Sequence, residues 1–185
     1  AAVGTVKATD GNTEDVLTYS ITEDTSSLFT INSSSGAITV ATENALDYET
    51  TSTYAITVEV SDNYQSAAGV SEAKTATATI TINVNNVNEI PTLTLASSTQ
   101  TVLEDIATTL STITVADPDI TTLSTDTLTV TLSMENGTLT AGSTTDLTVT
   151  NNGTNSVALM GTPTNLNLAL SKLTYTGTEN YNGTD

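Results

Sequence analysis

Apolar and polar positions alternate with a period of two through much of this chain. Tyr54, Ile56, Val58 and Val60 fall on one side of their segment, and Ala55, Thr57 and Glu59 on the other. That is the pattern of a strand with one buried and one wet face. The run from Thr75 to Val84 alternates in the same way, threonine first with alanine and then with isoleucine. Strands are expected at 2–8, 17–21, 28–32, 37–41, 53–61 and 75–85. Turn formers separate them: Asp10-Gly11-Asn12, Ser33-Ser34-Ser35-Gly36 and Ser61-Asp62-Asn63. Short strands at this spacing predict an all-β, immunoglobulin-like Greek-key sandwich.

The plan recurs. Around a shared acid, Ala8-Thr9-Asp10-Gly11-Asn12 matches Val115-Ala116-Asp117-Pro118-Asp119 at an offset of about 107. Leu17-Thr18-Tyr19-Ser20-Ile21 matches Leu128-Thr129-Val130-Thr131-Leu132. Such repetition argues for tandem domains, expected at 1–89 and 90–185. Between them runs Asn85-Asn86-Val87-Asn88-Glu89-Ile90-Pro91. Its side chains offer oxygen ligands, and its proline keeps the preceding residue extended. A semi-rigid, oxygen-rich joint between two β-domains suggests that a hard cation sets the joint.

One segment breaks the β pattern. Leu166, Leu170 and Leu173 stand at i, i+4 and i+7, after Pro163 and a possible cap at Thr164. A helical turn over 165–171 is expected there, covering the end of the sandwich. Thr174-Tyr175-Thr176 then resumes an extended run. In the first repeat Leu46-Asp47-Tyr48-Glu49 is followed by two further strands, and the second repeat has no counterpart to them before Asp185. The second repeat is therefore expected to be incomplete at its C-terminus. Its open edges would be filled by a continuing chain or by a neighbour. The chain also begins directly in a strand pattern, with no signal peptide and no apolar run near 18 residues, as expected of an excerpt.

Composition narrows the chemistry. About a quarter of the residues are threonine, far above ordinary usage and suited to a pleated, half-exposed surface. There are 21 acidic residues against three lysines (Lys7, Lys74, Lys172), giving a net charge of −18. That charge repels nucleic acid and anionic membranes and attracts cations. With no cysteine and no histidine, disulfides, zinc–thiolate sites and the usual general base are excluded. Asp47 with Glu49, and Asp117 with Asp119, are carboxylate pairs of the kind glycoside hydrolysis uses. Neither pair comes with an arginine, a histidine or an aromatic wall, so no enzyme is expected. Tyr48, Tyr64 and Tyr181 are too few for a sugar platform, and Tyr19 and Tyr54 read as core. Asn32, Asn136, Asn152 and Asn182 match Asn-x-Ser/Thr, and we read them as turn residues.

Several motifs together resemble the cadherin repeat. Leu46-Asp47-Tyr48-Glu49 is similar to the family's Leu-Asp-x-Glu, and Val60-Ser61-Asp62 to its Ala-x-Asp. Asp10-Gly11-Asn12 is similar to Asp-x-Asp. Asn86 to Pro91 resembles the Asp-x-Asn-Asp-Asn-x-Pro linker, one residue shorter and with Asn86 and Glu89 in place of aspartates. The second repeat resembles the cadherin-like tandem repeats of giant bacterial adhesins, through Leu103-Glu104-Asp105, Val115 to Asp119 and Tyr181 to Asp185. The resemblance implies Ca²⁺ between successive domains. Asp47, Glu49, Asn86, Asn88 and Glu89 would act with Asp117 and Asp119. Asp10, Asn12 and Asp62 would form half of an upstream joint, and Glu104, Asp105 and Asp185 would begin a downstream one.

The expected function is a calcium-stiffened structural and adhesive module of a large bacterial extracellular or cell-surface protein. Its partners would be neighbouring repeats or identical subunits, with cell-surface or matrix ligands as further candidates. Nucleic acid and membrane insertion of this segment are not expected. The alternative is a subunit of a self-assembling extracellular filament, joined by strand exchange.

Overall fold

The computed structural model describes residues 1–12, 14–65, 69, 72–121 and 124–185. The chain forms two compact units, 1–87 and 88–185. Asn88 and Glu89 thus group with the second unit, two residues ahead of the expected break. A physical reason is visible in the Glu89 amide, which donates to Asp119 Oδ2 at 2.8 Å.

The first unit is a sandwich of two three-stranded antiparallel sheets. One has the order β1 (Ala2–Thr5), β4 (Ala37–Val40), β3 (Phe29–Ile31), and the other β2 (Thr18–Asp24), β5 (Thr53–Ser61), β6 (Thr75–Asn83). All six expected strands are present, mostly trimmed at their ends. β5 and β6 pair over their full length, Tyr54 opposite Ile82 and Ile56 opposite Ile80. Paired residues share a face, and that face carries the core: Ile56, Val58 and Ile82 are buried with Phe29 and Ile38. Tyr54 meets Phe29 edge-on, with ring centroids 5.5 Å apart. Tyr19 is buried, in keeping with its expected core role. Two turns follow elementary rules. The Asn32 side chain accepts from the amides of Ser34 and Ser35, a local Asx turn. Gly36 sits at φ +69°, where a Cβ would lie 2.3 Å from the Val6 carbonyl oxygen.

The second unit is also β-rich, with shorter strands. Its sheets are β10 (Leu128–Ser133), β13 (Ser156–Gly161), β12 (Thr148–Thr150); β11 (Gly137–Thr140), β14 (Thr174–Gly177), β8 (Thr108–Thr109); and the pair β7 (Thr92–Leu95), β9 (Ile113–Ala116). The expected helical turn is a helix of eight residues, α1 (Pro163–Leu170). It starts two residues before the expected 165, and its cap is Thr162 rather than Thr164. The reason is that proline is suited to the first helical position, where its missing N–H has no intrahelical acceptor anyway. The Thr162 side chain accepts from the Asn165 amide. Leu166, Ala169, Leu170 and, beyond the helix, Leu173 are fully shielded from solvent. They complete a core of twelve buried residues that includes Val157, Leu159, Leu139 and Tyr175. No helix among the described residues is long and apolar enough to cross a membrane.

Candidate metal centre

In the first unit, β1 runs out toward Asp10 and β5 ends just before Asp62, so two separate segments deliver acids to one end. Asp10, Asp15 and Asp62 each bring a carboxylate oxygen within 4.8 Å of the others. The acids are held by their own backbone. The Asn12 amide donates to Asp10 Oδ1 at 2.7 Å, and the Asp15 amide donates to the Asn12 carbonyl at 3.0 Å. Asp62 Oδ1 accepts from the Lys74 amide at 2.8 Å, while the Asp62 amide donates to the Lys74 carbonyl. The Val16 amide donates to Asn63 Oδ1 at 2.7 Å, tying the 10–16 segment to the end of β5.

Asp15 was not singled out by sequence reading. It lies five residues after Asp10, outside any motif, and reaches the set only because the turn at 10–12 folds back. It supplies the most telling atom. Asp15 Oδ2 is shut off from solvent and has no hydrogen-bond partner among the described residues. A buried carboxylate oxygen without a donor is costly. Two unit charges 4.8 Å apart repel by roughly 1 kcal/mol in water and roughly 3–4 kcal/mol at the effective dielectric near a protein surface. A hard divalent cation removes both penalties. An all-oxygen set without nitrogen or sulfur suits Ca²⁺ or Mg²⁺ rather than a transition metal, and Ca²⁺ tolerates its irregular geometry. Asn12, expected as a ligand, contributes backbone groups to this turn.

The other expected residues are placed as follows. Asp47 is exposed and caps its own turn, with the Thr50 amide on Oδ1 and the Thr50 hydroxyl on Oδ2. That hydroxyl, then the amide, hold its carboxyl below the ordinary range. Glu49 and Asn86 are exposed. In the second unit the Asn88 side chain donates to the Glu89 carbonyl. Asp117 and Asp119 are half-buried at the exit of β9, and Asp117 Oδ1 accepts from the Asp119 amide at 3.0 Å. Glu104 is exposed. Asp105 Oδ1 accepts from the Asn180 amide at 3.1 Å. Asp185 accepts from the amides of Glu135 and Asn136, at 2.7 and 3.0 Å, and from the Tyr175 hydroxyl at 3.1 Å. Glu104, Asp105 and Asp185 do not share one ligand-sized space among the described residues. The latter two accept from backbone N–H groups.

Residues 1–85 match the model of the Cadherin domain. Solved structures similar over most of the chain are cadherin ectodomains. The crystal structure of human Protocadherin-24 EC1-2 superposes with a TM-score of 0.50 at 20% identity, over 88% of this chain and 69% of that one. Its Form II gives 0.51 at 16%, over 97% and 70%. The PcdhgB3 EC1-4 structure gives 0.50 at 22%, over 88% of this chain and 36% of that one. At such identities the likeness shows the fold: tandem cadherin-like β-sandwiches. No curated protein matches the chain by sequence.

Proposed function

We propose that this chain is a calcium-stiffened structural and adhesive repeat module of a large extracellular or cell-surface protein, of the kind found in giant bacterial adhesins. One observation carries the reading. Within the segment that matches the Cadherin domain, three carboxylates converge, and one of their oxygens is buried without a donor. Asp10, Asp15 and Asp62 would hold the ion, with water completing its shell. Its contribution is to cancel mutual repulsion and make one end of the domain rigid. Following the sequence resemblance, Asp47, Glu49, Asn86, Asn88, Glu89, Asp117 and Asp119 remain proposed ligands for further ions. No catalytic role is proposed. Calorimetric Ca²⁺ titration of the full chain tests the reading: Asp62→Asn is expected to remove one binding event. An identical titration in parent and variant sinks the assignment.

A second reading, the strand-exchanging filament subunit, is favoured by the second unit. Leu93 and Leu95 of β7 are 57% and 49% exposed, although their ladder partners Val115 and Ile113 are buried. Paired residues share a face, so one side of this core stands open. Beside it lies a groove of about 470 Å³ lined by Leu95, Val102, Leu110, Ile113, Met134 and Tyr175 among others. β8 and β10 stand at the ends of their sheets. A strand from an identical subunit could pair there. Electron microscopy separates the readings: long fibres at high protein concentration favour the filament, and single short rods favour the adhesive module.

A further inference from the structure

The two repeats aim their acidic turns by the same device, made from different residues. In the first unit the Ala8 amide donates to the Tyr19 hydroxyl oxygen at 3.2 Å. Tyr19 is a buried residue of β2, and Ala8 lies two residues before Asp10. In the second unit the corresponding residue is Val115, two before Asp117. Its amide donates to Asn167 Oδ1 at 2.8 Å, and its carbonyl accepts from Asn167 Nδ2 at 2.9 Å. Backbone groups alternate in direction along a strand. Those of Val115 point to the side of β9 opposite β7, where α1 packs rather than another strand. The Asn167 carboxamide there presents the donor and acceptor that a neighbouring peptide unit would. α1 is itself locked into the core through Leu166 and Leu170. Two residues further along the chain, Asp117 Oδ1 accepts from the Asp119 amide, and Asp119 Oδ2 accepts from the Glu89 amide.

We propose that Tyr19 and Asn167 are equivalent positioning residues: each ties the backbone two residues ahead of an acidic turn to the interior of its own unit, and so sets how tightly that turn's carboxylates hold a divalent cation. The proposal rests on the calcium reading above. Neither side chain would touch the ion. Each acts on the strand that delivers the carboxylates, so the turn does not have to be ordered when the ion binds.

The test is a double-mutant cycle on the full chain, read by calorimetric Ca²⁺ titration. Tyr19→Phe removes one oxygen and leaves the ring's packing intact. It is expected to weaken binding by roughly two- to tenfold, the equivalent of one lost hydrogen bond. In an Asp10→Asn background the same change is expected to have no further effect on binding. Asn167→Asp provides the second arm. It keeps the acceptor, loses the donor and adds a negative charge that by itself favours cations. Weaker binding in this variant therefore points to the lost bond to Val115. A lower melting temperature in Tyr19→Phe with a titration that overlays the parent's means a merely structural role and overturns the proposal. So does equal weakening with and without Asp10. If Asp10→Asn alone leaves the parent titration unchanged, the calcium reading fails, and this inference falls with it.

Discussion

The two units reach similar size by different physics. Among its described residues the first has a buried cluster of five, Phe29, Ile38, Ile56, Val58 and Ile82. The second has twelve among its described residues, and six of them lie on β13, α1 and the residues between α1 and β14. The first leans on a long ladder: β5 and β6 are nine residues each, and the β6 side chains are mostly exposed threonine and alanine. The second uses short strands and closes its core with a helix. Threonine can build a sheet cheaply on its wet face, but it cannot fill an interior. Where a chain this rich in threonine must bury apolar volume, it concentrates leucine in one amphipathic turn.

The sharpest way to break this comparison is to remove one apolar side chain from each core. Ile56→Ala and Leu170→Ala each delete a side chain that is at most 1% exposed, at an expected cost of about 2–5 kcal/mol. The consequences are expected to differ. Ile56→Ala should abolish the cooperative melt of the first unit, whose cluster is small, whereas Leu170→Ala should lower the second unit's transition without erasing it. Differential scanning calorimetry of the full chain reads both. Equal consequences would mean that the ladder contributes more than the buried cluster suggests.

Calcium should separate the units next. At a concentration about a hundredfold above Kd, an ion bound only to the folded state adds about 2.7 kcal/mol. Asp15→Asn is expected to reverse sign with the ion. In chelator it should raise the first unit's melting temperature by relieving repulsion, and in saturating calcium it should lower it. A variant that melts like the parent under both conditions removes Asp15 from the site.

A smaller effect tests the helix alone. Thr162→Ala removes the cap of α1 and is expected to cost about 0.5–1 kcal/mol, the low end for caps because the bond to the Asn165 amide is long at 3.5 Å. Thr164→Ala should be near neutral. Chemical denaturation followed by circular dichroism distinguishes the two.

The mildest contrast is in pH. Asp24 is held below the usual carboxylate range: burial pushes it up, but the Ser26 hydroxyl and the amides of Phe29, Ser26 and Ser27 outweigh that. Its stabilisation is present above the unfolded value, about 4, and is lost as pH falls through the lower folded value. Tyr175 is pushed up, first by burial and then by its hydrogen bond to Asp185 and that residue's charge. Its stabilisation is present below the unfolded value, about 10, and is lost as pH rises from there toward the folded value. The first unit should thus be the more acid-sensitive and the second the more alkali-sensitive. Asp24→Asn and Tyr175→Phe are expected to flatten the respective limbs of a melting-temperature profile.

Much of the architecture could be read from local pattern. The alternation around Tyr54 to Val60 located β5 to the residue, because a half-buried strand leaves its period in the sequence. The leucines at 166 and 170 likewise announced α1. Its start was misplaced because two threonines flank Pro163 and only the preference of proline for the first turn chooses between them. Asp10 and Asp62 were expected from the resemblance of their motifs to the cadherin repeat, and the structure brings their carboxylates close together.

What local pattern could not supply is which distant groups meet. Asp15 joins Asp10 and Asp62 through a backward turn and the Val16–Asn63 bond, 47 residues apart in the chain. Asn167 belongs to no motif in the sequence, and it meets the backbone of Val115, 52 residues away, only in the folded unit. Asp105 and Asp185, expected as ligands from the resemblance, accept from backbone amides 75 and 50 residues away in the chain. The sequence by itself determined which residues are extended, which are buried and where negative charge accumulates, since these follow from period and composition. Only the tertiary structure decided which carboxylates share a space and which side chains complete a backbone edge, because those depend on distances closed by segments that carry no local sign of one another.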